Sequence, residues 1–161
     1  MARRWVVNAS PLIFLGKVGQ LDLLLRLAAD LMIPEAVARE VTQGPGSDPA
    51  RLWLEGFGRR FVLSDRGLSP TIAAWDLGPG ESQVLQFCLA ESGSEAIVDD
   101  RAARECAAAI GVGFRGTISV LTLAKHAGLV SAVRPLLNDL VAAGFRISTP
   151  VMARALELAG E

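Results

Sequence analysis

Five polar residues in this chain stand where short apolar runs give way to helical patterns: Asn8, Glu40, Glu81, Asp99 and Asp100. Asn8 follows the run at residues 5–7 and precedes Ser10-Pro11, a pattern that predicts a buried strand delivering a side chain into a cleft. Asp99 and Asp100 end a second such run at 96–98. One Asp there is accounted for as a helix N-cap, but the pair exceeds what one cap requires, and holding the extra carboxylate beside a buried strand is costly without a cation. Glu81 follows Gly78-Pro79-Gly80, where a first-turn carboxylate complements the helix dipole. Glu40 lies near a helix end, where the dipole disfavours an anion, so Arg39 or a metal must offset it. Singly, each acid reads as cap or solvated surface. Together, three or four carboxylates at segment ends fit a hard cation with oxygen ligands, Mg²⁺ or Mn²⁺.

For these residues to meet, strands must alternate with helices so that the strand ends share one edge. The pattern predicts strands near residues 5–7, 29–33, 60–64, 96–98 and 112–114. Helices are predicted at 34–41, from Pro49 onward, at 81–91, 101–110 and 117–127, and near 131–143 and 150–159. Such alternation implies a parallel sheet, because parallel neighbours need crossovers, and right-handed crossovers cover both faces with helices. Ligands of such sheets bind at the carboxyl ends of the strands.

The composition narrows the chemistry. At 161 residues the chain reads as one domain, 1–161, able to bury about 70 % of its unfolded surface. Its only histidine, His126, has no partner nearby in sequence, and the two separated cysteines, Cys88 and Cys106, read as core thiols, so a zinc or Cys/His site is not expected. No apolar run approaches the roughly 18 residues of a membrane span, and the basic start MARRW lacks the apolar stretch of a signal peptide, so a cytoplasmic protein is expected. With a formal net charge of −1, binding to a polyanion would need a local arginine patch or metal ions.

The segments VVNASPLI, IPEAVAREV, LGPGESQVLQFCLA, AIVDDRAAR and FRGTISVLTLAKHAGLV resemble, in that order, the PIN-domain family of nucleases, and in particular a branch close to the toxins of bacterial toxin-antitoxin pairs. The similarity runs from Val6 to about Val130. It implies a three-layer α/β/α sandwich with a five-stranded parallel sheet, and Mg²⁺- or Mn²⁺-dependent hydrolysis of RNA. It also implies a small antitoxin-like protein partner. By position, the family's first-strand Asp falls on Asn8, the helix Glu on Glu40, the central acid on Glu81, and the acid after the fourth strand on Asp100, with Asp99 as the alternative. The departures are Asn8, a neutral carbonyl oxygen in place of a carboxylate, and Glu81, one methylene longer than the usual Asp. Arg115 at the end of the fifth strand is the expected phosphate contact, with Arg101 and Arg104 next. Thr117 is expected to orient a water or phosphate, or to serve as an N-cap.

Two further functions compete with a ribonuclease: a catalytically weak PIN-like module that binds RNA or protein, marked by Asn8, and a receiver-like signalling domain. A receiver needs its acid pair after the first strand, whereas here it follows the fourth. The apolar residues Leu136, Leu137, Leu140, Val141 and Leu156 of the last two helices lead to the expectation of a homodimer.

Overall fold

The computed structural model describes residues 2–161. Five strands, β1 (Arg4–Val7), β2 (Asp30–Pro34), β3 (Val62–Leu63), β4 (Ser94–Ile97) and β5 (Gly113–Arg115), form one sheet in the order β3-β2-β1-β4-β5. Every pairing is parallel. Helices α1 (Ala9–Lys17), α2 (Asp22–Leu27), α3 (Glu35–Thr42), α4 (Pro49–Glu55) and α5 (Pro70–Ala73) lie between β1 and the long helix α6 (Pro79–Ala90). After β4 come α7 (Arg101–Ala109), α8 (Thr117–His126), α9 (Arg134–Ala142) and α10 (Thr149–Ala159). The result is the expected α/β/α sandwich around a parallel sheet.

The strand order decides where a ligand fits. The chain leaves β1 toward β2 on one side, and later returns on the other side to lay β4 against β1 in the register Val6↔Ala96 and Val7↔Ile97. Connections from β1 and β4 therefore diverge, which opens a crevice at their carboxyl ends, the topological switch point of open α/β sheets. A receiver-like plan is overturned here, because that plan has the order 2-1-3-4-5.

Toward their carboxyl ends the two central strands, β1 and β4, are apolar on both faces because both faces are covered. Trp5, Val6, Val7, Ile97 and Val98 have no exposed surface. Each fully buried side chain of this size contributes about 1.5–3 kcal/mol over its exposed state, so the residues that aim Asn8 are among the best anchored in the molecule. The third strand is shorter than its apolar run predicted. A 3₁₀ turn at Phe57–Phe61 takes up its start, with Trp53 stacked on Phe61 at 6.0 Å between ring centroids.

The last helix is clasped from its end. The Glu161 carboxylate accepts the Val133 N–H (2.6 Å) and the Arg134 N–H (3.2 Å), and pairs with Lys125. Leu137, Leu140 and Leu156 pack into the chain's own core. The apolar excess behind the dimer expectation is thus mostly internal; Val141, Val151 and Leu158 remain exposed. No helix among the described residues is long and apolar enough to cross a membrane.

Candidate active site

Asn8 occupies the N-cap position of α1 and makes no capping bond with its side chain. Elsewhere the chain caps helices in the ordinary way: Asp48 accepts from Arg51 N–H, and Ser148 from Val151 N–H. Asn8 is 2 % exposed and turned the other way. Its Nδ2 donates to Glu81 Oε1 at 3.3 Å, and its Oδ1 is buried with no partner at all. An unpaired buried acceptor costs about 1–3 kcal/mol, so this oxygen is either a strain or a ligand position.

Three elements bring acids to that oxygen. Helix α6 starts at Pro79, with φ preset for a first turn, and so projects Glu81 back over the end of β1. Gly80 lets this turn approach closely: a Cβ there would stand 3.2 Å from Asn8 Oδ1, 3.5 Å from Val37 Cγ2 and 3.6 Å from Glu40 Oε2. Glu40 enters from the last turn of α3, near the end the dipole makes unfavourable for it. Partial burial raises its pKa above the ordinary carboxylate value, and the charge of Glu81 raises it further.

The two aspartates divide their work. Asp99 Oδ1 accepts the Thr117 N–H (2.8 Å), while Oδ2 accepts the Thr117 hydroxyl (2.7 Å) and the Ser10 hydroxyl (3.0 Å). It ties β4 to the first turns of α8 and α1. Asp100 Oδ2 accepts the Ala103 N–H (2.9 Å) and caps α7. Asn8, Ser10, Phe14, Glu40, Glu81, Asp99 and Asp100 line one cleft of about 540 Å³.

Among the described residues, no three His, Cys, Asp or Glu side chains are gathered closely enough to hold a metal by themselves. The physical reason is visible. One member of the set is an amide, Asp99 is saturated by hydroxyl and N–H donors, and the remaining carboxylates repel one another. The donor set nonetheless suits a hard cation: the orphaned Asn8 Oδ1 and the carboxylates of Glu40, Glu81 and Asp100 offer only oxygen, from different elements, around one opening.

Of the three arginines expected to contact phosphate, one stands beside the acids. Arg115 Nε donates to both oxygens of Glu95 (3.3 and 3.1 Å), which also accepts from Trp5 Nε1, and Arg115 is not among the residues lining the acid cleft. Arg101 is 93 % exposed and paired with Glu105 one turn on. Arg104 alone reaches the acids, with a terminal nitrogen 4.0 Å from Asp99 Oδ1. Thr117, fully buried, is the partner of Asp99 rather than an open hydroxyl. Sequence reasoning missed Ser10 and Gly80. Their signals, a hydroxyl two residues after Asn8 and a glycine directly before Glu81, are too common to single out alone.

The crevice lined by these acids and an amide lies at the switch point of an all-parallel α/β/α sandwich. The chain belongs to the PIN-domain family: the model of the DUF3368 family, a PIN domain, matches residues 4–161. No curated protein and no solved structure matches it.

Proposed function

We propose that the chain is a ribonuclease dependent on Mg²⁺ or Mn²⁺, and the toxin-like member of a pair held in check by a small antitoxin-like protein. The observation that carries the reading is the buried, unpartnered Oδ1 of Asn8, which meets Glu40 across Gly80 while Asn8 Nδ2 holds the Glu81 carboxylate. Asn8 Oδ1, Glu40, Glu81 and Asp100 would hold the ion. When bound, the ion supplies Lewis-acid polarisation of the scissile phosphate and a water of lowered pKa.

The chain's own residues set the rest. Asp99, through Thr117 and Ser10, fixes the spacing between the ends of β4, α1 and α8 and so the width of the cleft. Arg104 offers a cation beside Asp99 for phosphate oxygens. Burial first, and the charge of Glu81 second, disfavour the ionised Glu40 carboxylate, a penalty that a divalent cation relieves. The toxin branch and its antitoxin-like partner rest on the resemblance of the Gly116–Val130 tail and the block order.

A second reading, a weak PIN-like binding module, is favoured by one observation: Asn8 Nδ2 already engages Glu81, which takes up one lone pair of the central acid. Calorimetric titration with Mn²⁺, alongside cleavage of a mixed-sequence RNA, separates the two. Metal binding and cleavage that both vanish in Glu81→Gln support the nuclease; RNA binding without cleavage in the parent supports the module.

A further inference from the structure

Arg104 stands beside Asp99 at the border of the acid cleft. Arg104 donates its Nε–H to the Val98 carbonyl (3.0 Å), keeps a terminal nitrogen 4.0 Å from Asp99 Oδ1, and sets its guanidinium 5.6 Å from the centre of the Phe114 ring. Beyond it lies a second groove of about 360 Å³ between β5, α8 and α10. Gly116 forms the rim between the two. A Cβ there would collide with the Arg104 terminal nitrogen and stand 2.9 Å from Asp99 Oδ1, so glycine leaves the Arg104 guanidinium room beside Asp99.

The groove has a consistent chemistry. Arg104, Arg115 and Arg154 line it together with Phe114, Ile118 and Val151, and no carboxylate does. Arg115 is committed to Glu95. Arg154 has only a surface pair with Glu157, 64 % and 71 % exposed, of the kind that contributes little and yields easily. Arg104 commits its Nε–H to the Val98 carbonyl, and its terminal nitrogens keep only a distant approach to Asp99. Two guanidinium groups therefore remain for an anion. Phe114 is 37 % exposed on an edge strand. Helix α10, the far wall, is fastened by Glu161, so the groove is preformed.

An exposed aromatic ring flanked by cations and adjoining an acid cleft through Arg104 and Asp99 matches the recognition of single-stranded nucleic acid, in which bases stack on rings and the backbone follows the positive charge. A duplex cannot offer a base face to Phe114 while its bases remain stacked on each other. We propose that this groove is a nucleotide subsite: an unpaired base of the bound strand stacks on Phe114, and its phosphate lies on Arg104 and Arg154. The inference rests on the ribonuclease reading for the strand's presence in the acid cleft, and adds where a nucleotide beyond that cleft would sit.

The test is anisotropy of a short, labelled, mixed-sequence 2′-O-methyl RNA single strand in EDTA, with cleavage of unmodified RNA in Mn²⁺ measured in parallel. Phe114→Leu should weaken binding about tenfold and Phe114→Trp should restore it, since stacking of one base is at stake. An abasic strand of the same length should bind the parent and Phe114→Leu alike. Arg154→Ala, on the surface of α10, should lower the salt slope by about one. If Phe114→Leu binds the strand as the parent does, while the parent cleaves RNA, the subsite is overturned and the ribonuclease reading stands. A parent that neither binds nor cleaves overturns both. Phe114-dependent capture of an acidic amphipathic helical peptide, with strand binding indifferent to Phe114, would make this face a protein interface and also overturn the subsite.

Discussion

Asn8 and Glu81 are joined by a single hydrogen bond, Nδ2 to Oε1 at 3.3 Å, and the amide's oxygen Oδ1 is left buried and unpaired. The amide thus performs half of what a carboxylate would do in a metal site and adds something a carboxylate cannot, a donor that steadies Glu81 without an ion. Asn8→Asp exchanges that donor for a charge. Without metal the variant should lose about 1–3 kcal/mol, because an attraction becomes a repulsion between acids. With Mn²⁺ it should bind the ion more tightly than the parent and recover stability. Thermal unfolding in EDTA and in Mn²⁺, with calorimetric titration, checks both halves. An unchanged metal affinity in a folded variant would remove Asn8 from the site.

Glu40 makes a prediction about pH. Its folded pKa is raised, first by partial burial and then by Glu81, so the folded state binds this proton more tightly than the unfolded state. The contribution favours folding below the ordinary glutamate pKa and is lost as pH rises through the raised folded value. In metal-free buffer, Glu40→Gln should therefore be at least as stable as the parent at neutral pH, and its stability should decline less across the window that opens at the ordinary carboxylate pKa. In Mn²⁺ the order should reverse, since the parent gains a ligand and the variant does not. Denaturant midpoints at acidic and neutral pH, with and without Mn²⁺, provide the measurement.

Much of this geometry was legible in the sequence, for identifiable reasons. Runs such as 5–7 and 96–98 are apolar on every side, a pattern that only doubly covered strands require, and each is followed by a polar residue that has to emerge at the sheet edge. That reasoning brought Asn8, Glu40, Glu81, Asp99 and Asp100 to one cleft. It could not divide labour between the aspartates, because either can cap a helix, and the choice depends on Ser10 and Thr117, which are distant in sequence. Arg115 was taken for a phosphate contact because it ends a strand at the right edge. Its partner Glu95 lies on the neighbouring strand, and the parallel register Ile97↔Arg115 that brings them together has no local signature. The Phe114 groove was illegible for a similar reason, since α10 closes it from 35 or more residues away along the chain.

Cys88 should be chemically silent. It is 5 % exposed, and burial, helped by the negative charge of Glu95, pushes its thiol pKa up to about 12. Thiolate is the reactive form, so alkylation of the native protein near neutral pH should be slow and should become fast only on unfolding. Rapid labelling of Cys88 in the folded chain, read by peptide mass mapping, would contradict the packing of α6.

The two aspartates should separate under mutation. Asp99 satisfies two donors of the fully buried Thr117 and the hydroxyl of Ser10. Asp99→Ala leaves the Thr117 donors buried and unpaired, at about 1–3 kcal/mol each, and should destabilise the fold by on the order of 3 kcal/mol. Asp100 provides one cap to α7 from an exposed position, so Asp100→Ala should cost only about 1 kcal/mol. For metal the ranking should invert: Asp100→Asn should weaken Mn²⁺ binding with little loss of stability, because Asp100 has an oxygen free of the cap. Asp99→Asn keeps one acceptor for Thr117 and should bind Mn²⁺ nearly as well as the parent once folded. Thr117→Val supplies the control, since it removes one Asp99 partner without touching any carboxylate and should reproduce part of the stability loss alone. Chemical denaturation of the set, paired with calorimetric titration of each folded variant, decides the matter. If Asp99→Asn loses metal binding while Asp100→Asn retains it, the ligand is Asp99, and its bonds to Thr117 and Ser10 orient it for the ion.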